Sequence, residues 1–151
     1  MTDYSRLGLE MTVSTQNALH QLSPSIAGFA AGGFVAVWQT TDTVQDGAGR
    51  AIKLKRYDAS GAKLGGEILV NTAVTSDQRF PSVTTLTSGG FVVSWETSDA
   101  TQDGSGYAIK AQLYDAGGLA VGSEFKINTQ STLDQTRPSI AALESGGFVT
   151  T

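Results

Sequence analysis

Hydrophobic and polar residues in this chain alternate over short stretches, and no segment keeps a helical period over ten residues. The second of two nearly complete copies shows the pattern best. Ser82–Leu86 follows a proline and reads as a strand, here strand a. Gly90–Glu96 (GFVVSWE) sets Phe91, Val93 and Trp95 on one face by a period of two, and is strand b. Ala108–Tyr114 (AIKAQLY) sets Ile109, Ala111 and Leu113 against Lys110 and Gln112, and is strand c. Glu124–Asn128 alternates Phe125 and Ile127 with polar residues, and is strand d. The SGG before strand b predicts a tight hairpin turn, because glycine accepts positive φ. DASG and DAGG after strand c supply the next turn.

These signals recur without gaps every 57 residues. Pro24, Pro81 and Pro138 are the three prolines. The pairs Gly32-Gly33, Gly89-Gly90 and Gly146-Gly147 each precede a phenylalanine: Phe34, Phe91 and Phe148. Trp38 and Trp95 are the two tryptophans. Gln21, Gln78 and Gln135 align, as do Glu67 and Glu124. The expected organisation is a lead-in over 1–10, strand d of a preceding unit at 11–14, repeats at 24–71 and 81–128, and an incomplete repeat at 138–151. The next tryptophan in register would fall just past Thr151. The expectation is therefore that flanking repeats of the same polypeptide, or copies of the chain, complete the sheets, since open strand edges invite pairing.

A repeat of this length holding four antiparallel strands predicts an all-β fold of tandem four-stranded units without significant helix. β-Propeller blades fit it best, as part of a propeller or one completed by oligomerisation. A stacked β-repeat and a β-sandwich are the alternatives, and the sandwich explains the regular period less well.

Composition narrows the function classes. Charged residues make up 16% and the net charge is −4, which argues against nucleic-acid or anionic-membrane binding by charge neutralisation. The chain has no cysteine, hence neither disulfides nor thiolate metal sites. No apolar run is long enough to span a bilayer, and the first ten residues lack the basic and apolar regions of a secretory signal.

The series PSV, SGGFVVSW, QDGSGYAI, LYDA and GSEFKINT within residues 81–129 resembles repeats of large secreted bacterial proteins of the haemolysin-type calcium-binding and adhesin class. Residues 11–151 share its register. The resemblance implies an extracellular or cell-surface, non-catalytic, repeat-built region. The chain departs from that class in lacking the GGxGxDxLx nonapeptides that bind calcium there, so calcium binding is not carried over.

Chain reversal at each hairpin places the b–c and d–a loops on one face, and the a–b and c–d turns on the other. Function on repeat proteins concentrates on such loop faces. This one collects Asp42, Asp46, Asp99 and Asp103 from the b–c loops, with Asp77, Gln78, Arg79, Asp134, Gln135 and Arg137 from the d–a side. These are the candidate ligand-binding residues. Asp46 and Asp103, each in a DG turn, are the candidate calcium ligands, because calcium takes six to eight oxygens from carboxylates, carbonyls and water. Such aspartates equally cap turn amides. No cofactor is required by anything in the sequence, and calcium is the one the spacing allows.

Phe34, Trp38, Phe91, Trp95 and Phe148 share a strand face and are expected to form the repeat core rather than a sugar-stacking platform. The recurring glutamines Gln21, Gln78 and Gln135 are expected to bond the backbone of an adjacent repeat rather than a ligand. Lys53, Lys55 and Lys110 are expected on a solvated face of strand c. His20, the single histidine, has no Ser or Cys at a triad-like spacing. The leading expectation is a non-catalytic structural or adhesive module. The alternatives are a carbohydrate- or calcium-binding module using the loop face, with cell-surface glycans as partners, and a truncated propeller domain of a hydrolase.

Overall fold

The computed structural model describes residues 10–16, 19–42, 49–99 and 106–151. Ten strands follow in chain order: β1 (Gln21–Gly28), β2 (Phe34–Thr40), β3 (Ala51–Tyr57), β4 (Ile68–Leu69), β5 (Gln78–Thr85), β6 (Phe91–Thr97), β7 (Ala108–Tyr114), β8 (Ala120–Lys126), β9 (Ile140–Ala142) and β10 (Phe148–Thr150). They form two four-stranded antiparallel meanders, β1-β2-β3-β4 and β5-β6-β7-β8, and a two-stranded sheet of β9 and β10. No helix occurs among the described residues.

The turn chemistry works as the sequence predicts. The Gly89 amide closes its turn on Leu86 O at 2.9 Å. A Cβ on Gly33 or Gly90 would lie 2.3 Å from the carbonyl oxygen of Tyr57 or Tyr114, so both positions need glycine for β2 and β6 to start beside their partner strands.

Strand a begins earlier than its pattern suggests. The ladder pairs Arg79 with Glu96 and then Ser82 with Ser94, so Phe80 and Pro81 together oppose Trp95. Ser23 and Pro24 bulge opposite Trp38 in the same way. Proline cannot donate to a ladder, and a two-for-one bulge carries it through the strand. The residue before each proline (Ser23, Phe80 and Arg137) has a positive φ of 49–54°.

Strand d also differs. Met11–Ser14 forms no strand. It nonetheless keeps repeat register: Thr15 N and Oγ1 donate to Glu67, as Thr72 N does to Glu124. β8 starts earlier than expected and bulges at Gly122. The first-copy strand d shrinks to Ile68–Leu69.

The sheets stack face to face with their a strands adjacent. Ser25 Oγ accepts the Val83 amide, and Ser82 Oγ accepts the Ile140 amide, each at 3.3 Å. Between the first two sheets lies the main core: Val35, Val37, Ile52, Leu54 and Val70 from one side, Val83, Phe91, Val93, Trp95 and Tyr114 from the other. A smaller core of Val92, Ala111 and Ile140 joins the second sheet to β9–β10, with Phe148 against it. Phe34 stacks on Tyr57 and Phe91 on Tyr114, with centroids 4.6 and 4.8 Å apart. Trp38 is buried as well.

The lysines of strand c are a correction. Lys53, Lys55 and Lys110 are 1, 2 and 4% exposed rather than solvated. They share a sheet face with the tryptophans, Trp38 pairing with Lys53 and Trp95 with Lys110. Carboxylates buried alongside two of these lysines make that tolerable. Lys53 Nζ lies 2.9 Å from Asp42 Oδ2 and 3.5 Å from Glu67 Oε2, and Lys110 pairs with Glu124. A charge survives burial when it is paired and hydrogen-bonded.

Candidate functional site

The b–c and d–a loops meet on one face. Asp77 Oδ1 accepts the Arg50 amide at 3.0 Å, and its Oδ2 lies 3.2 Å from the Arg50 guanidinium. Asp134 Oδ1 accepts the Tyr107 amide at 3.1 Å, the same contact one repeat later. Both aspartates cap the approach to strand c.

The other nominated residues separate by role. Gln78 Oε1 accepts the Trp95 indole N–H at 2.8 Å, while its Nε2 donates to Ser76 O. Gln135 Oε1 accepts from Asn128 Nδ2 at 2.9 Å. Asp42 is buried on Lys53, and its amide donates to Thr40 Oγ1; the Asp99 amide bonds Thr97 Oγ1 identically. Asp46 and Asp103 lie outside the described residues. With Asp42 neutralised by an ammonium, its carboxylate does not fit a calcium shell of free oxygens. Among the described residues, no three His, Cys, Asp or Glu gather at metal-holding distance.

Arg79 and Arg137 come together around a residue the sequence reading missed, Glu96. Glu96 Oε2 accepts the amide of Arg137 at 3.0 Å, and Oε1 lies 3.5 Å from Arg79 Nε. Arg79 also bonds the Tyr107 hydroxyl and lies over its ring, 4.6 Å from the centroid. Arg137 lies over Phe80 at the same distance. Burial pushes the Glu96 carboxyl above the usual glutamate range and Asp134 adds to that, while the Arg137 amide and the two guanidiniums pull the other way.

The first copy shows what this position is for. Gln39 Oε1 accepts the Phe80 amide at 2.9 Å, as Glu96 accepts that of Arg137. A neutral amide serves as well, so the shared task is to hold the positive-φ residue of the next sheet's bulge. What belongs to the second sheet alone is the carboxylate at this position with an arginine beside it. Arg79, Glu96 and Tyr107 stand where the first copy has Leu22, Gln39 and Arg50. Departure from the repeat was the sequence signal for this cluster.

No protein-family profile matches the chain, and no curated protein matches it. Among solved structures, it is similar to the endo-arabinase of Bacteroides thetaiotaomicron VPI-5482, a propeller-type glycosidase, with a TM-score of 0.58 and 14% identity over 90% of this chain. The chain spans about half of that structure, 52% of its length. At that identity the likeness speaks for architecture: the chain has an all-β, propeller-like fold.

Proposed function

We propose that the chain is a non-catalytic, propeller-like repeat module, extracellular and structural or adhesive, that offers its b–c and d–a loop face to a ligand. One observation carries this reading. Among the described residues, polar side chains of the loop face hold the scaffold, and several of their contacts recur one repeat apart: Asp77 with Arg50 and Asp134 with Tyr107, Gln39 with Phe80 and Glu96 with Arg137. Catalytic groups normally occur once per site and are held for substrate, not for the backbone. Cell-surface glycans are the ligand class proposed, with calcium acting through Asp46 and Asp103. The test is a glycan array and calorimetry, each with and without calcium. Binding that Asp46→Ala/Asp103→Ala abolishes supports the reading, and an inert loop face removes it.

A second reading, part of a carbohydrate-cleaving propeller, is favoured by the likeness to the endo-arabinase and by the unrepeated Arg79–Glu96–Tyr107 cluster. Glycoside hydrolysis uses two carboxylates on opposite sides of the scissile bond, and Glu96 with Asp134 is the pair to examine. Release of reducing ends from arabinan, lost in Glu96→Gln, would favour this reading over the first.

A further inference from the structure

The repeat supplies its own control for what a buried tyrosine hydroxyl does. Tyr57 and Tyr114 hold the same place in successive sheets, each buried and each stacked on a phenylalanine. The Tyr57 hydroxyl donates to Val13 O at 3.2 Å. One repeat later the corresponding residue is Val70, and no such bond forms. Among the described residues the Tyr114 hydroxyl has no hydrogen-bond partner, although Tyr114 is only 4% exposed. Burial and the Glu124 carboxylate push its pKa up, so it stays protonated and able to donate. A buried polar group without a partner is costly and uncommon.

Tyr114 lines a cleft of about 600 Å³ between the outer strands of the first two sheets. Ile68, Leu69 and Val70 supply apolar wall from the first sheet, and Leu119 and Ala120 from the second. Leu119 is 71% exposed, so the apolar lining runs out to the surface. Gln112 lines the same cleft, is 4% exposed, and stands where the first copy has Lys55. Gly122, Ser123 and Glu124 bulge together opposite it. Its Nε2 donates to the carbonyls of Leu113, Val121 and Gly122. Three carbonyl acceptors fix which end of the amide carries the protons. The other end, Oε1, is an acceptor with no protein donor among the described residues. Glu124 brings the one charge among the described residues that line the cleft. It is already held by Lys110 and by the Thr72 amide at 3.0 Å.

We propose that this cleft binds a small uncharged molecule with an aliphatic body and a hydroxyl group, the hydroxyl accepting from Tyr114 and donating to Gln112 Oε1. A hydroxyl does both at once, whereas an ammonium has no lone pair to accept with and a carboxylate no proton to donate. A carboxylate would also meet the charge of Glu124. The aliphatic walls take the body out of water, and the volume is of the size ligand sites use. Bulges commonly re-aim side chains beside binding sites, and here the bulge holds Gln112 by its nitrogen. Gly118 and Leu119 place the cleft beside the turn between β7 and β8, away from the b–c and d–a loops. It therefore stands apart from the loop-face ligand, and either can fail alone.

The test titrates the full chain with cyclohexanol, cyclohexanecarboxylate and cyclohexylammonium, followed by NMR of methyl groups and side-chain amides. Cyclohexanol should give saturable shifts at the methyls of Ile68, Leu69, Val70 and Leu119 and at the Gln112 amide. Both ions should bind at least about tenfold more weakly. Tyr114→Phe removes the hydroxyl alone. It should keep the wild-type melting temperature or raise it, because no protein contact is lost, and weaken cyclohexanol about fivefold to tenfold. A lower melting temperature in Tyr114→Phe would mean the hydroxyl already serves the fold. That result, no saturable shift at the cleft, an ion binding as well as the alcohol, or an unchanged affinity in Tyr114→Phe would each overturn the proposal.

Discussion

The indole N–H of Trp95 donates to Gln78 Oε1 at 2.8 Å with both side chains fully buried. The glutamine that recurs before every strand a is thus a core residue in the second sheet. Gln78→Leu removes the acceptor and leaves the indole donor unsatisfied. The expected loss is about 1–3 kcal/mol, read as a lower melting temperature by circular dichroism.

Lys53 holds two carboxylates in the interior, Asp42 and Glu67. Lys53→Met leaves both carboxylates facing each other without their cation. Breaking a buried pair on one side costs about 3–5 kcal/mol, and urea titration should show that loss. Adding Asp42→Ala to Lys53→Met should recover part of it; a double variant no better than the single would discount the pair.

Glu96 gives a pH signature. Its carboxyl is raised by burial, only partly offset by the Arg137 amide and the guanidiniums of Arg79 and Arg137. A raised carboxylate contributes stability below its unfolded value and loses it as pH climbs through the folded value. Wild type should therefore lose stability relative to Glu96→Gln as pH rises above the ordinary glutamate value of 4.5. At neutral pH the variant, which copies the Gln39 of the first sheet, should melt at a higher temperature than wild type. Glu67 shifts the opposite way. Burial pushes it up, but the Thr15 amide and hydroxyl and Lys53 outweigh that and hold it low. Glu67 is common to both proteins and cancels in the comparison.

Ser23 sits at φ 51° immediately before Pro24. A β-branched side chain is strongly disfavoured there, so Ser23→Val should destabilise by about 1–2 kcal/mol. Ser23→Gly should leave stability unchanged or slightly higher. Parallel thermal melts of the two variants check this, and equal losses would mean the bulge relaxes.

Much of the fold was legible because the period is an arithmetic property of the chain. Ala108–Tyr114 is the strand its alternation predicts, and the SGG turns fall where glycine demands them. The start of strand a was less legible. The pattern starts strand a at Ser82, after Pro81, yet the ladder continues behind it through a bulge. The loop face was legible as a place: Asp77 and Arg79 do meet Arg50 and Tyr107 there. Glu96 was missed because its neighbours in the pattern are core residues, and only its contact with the next sheet gives it a role.

Local rules, then, were enough for the sequence to determine the four-strand unit, its turns and its order, because alternation and glycine placement act within a few residues. The tertiary structure alone decided which polar residues belong to the interior. A strand's side chains point to two faces, and whether a face meets water depends on what stacks against it. The lysines expected to be solvated are buried instead, two of them balanced by carboxylates distant in sequence. The same stacking decided that the recurring Gln78 serves Trp95 rather than a ligand.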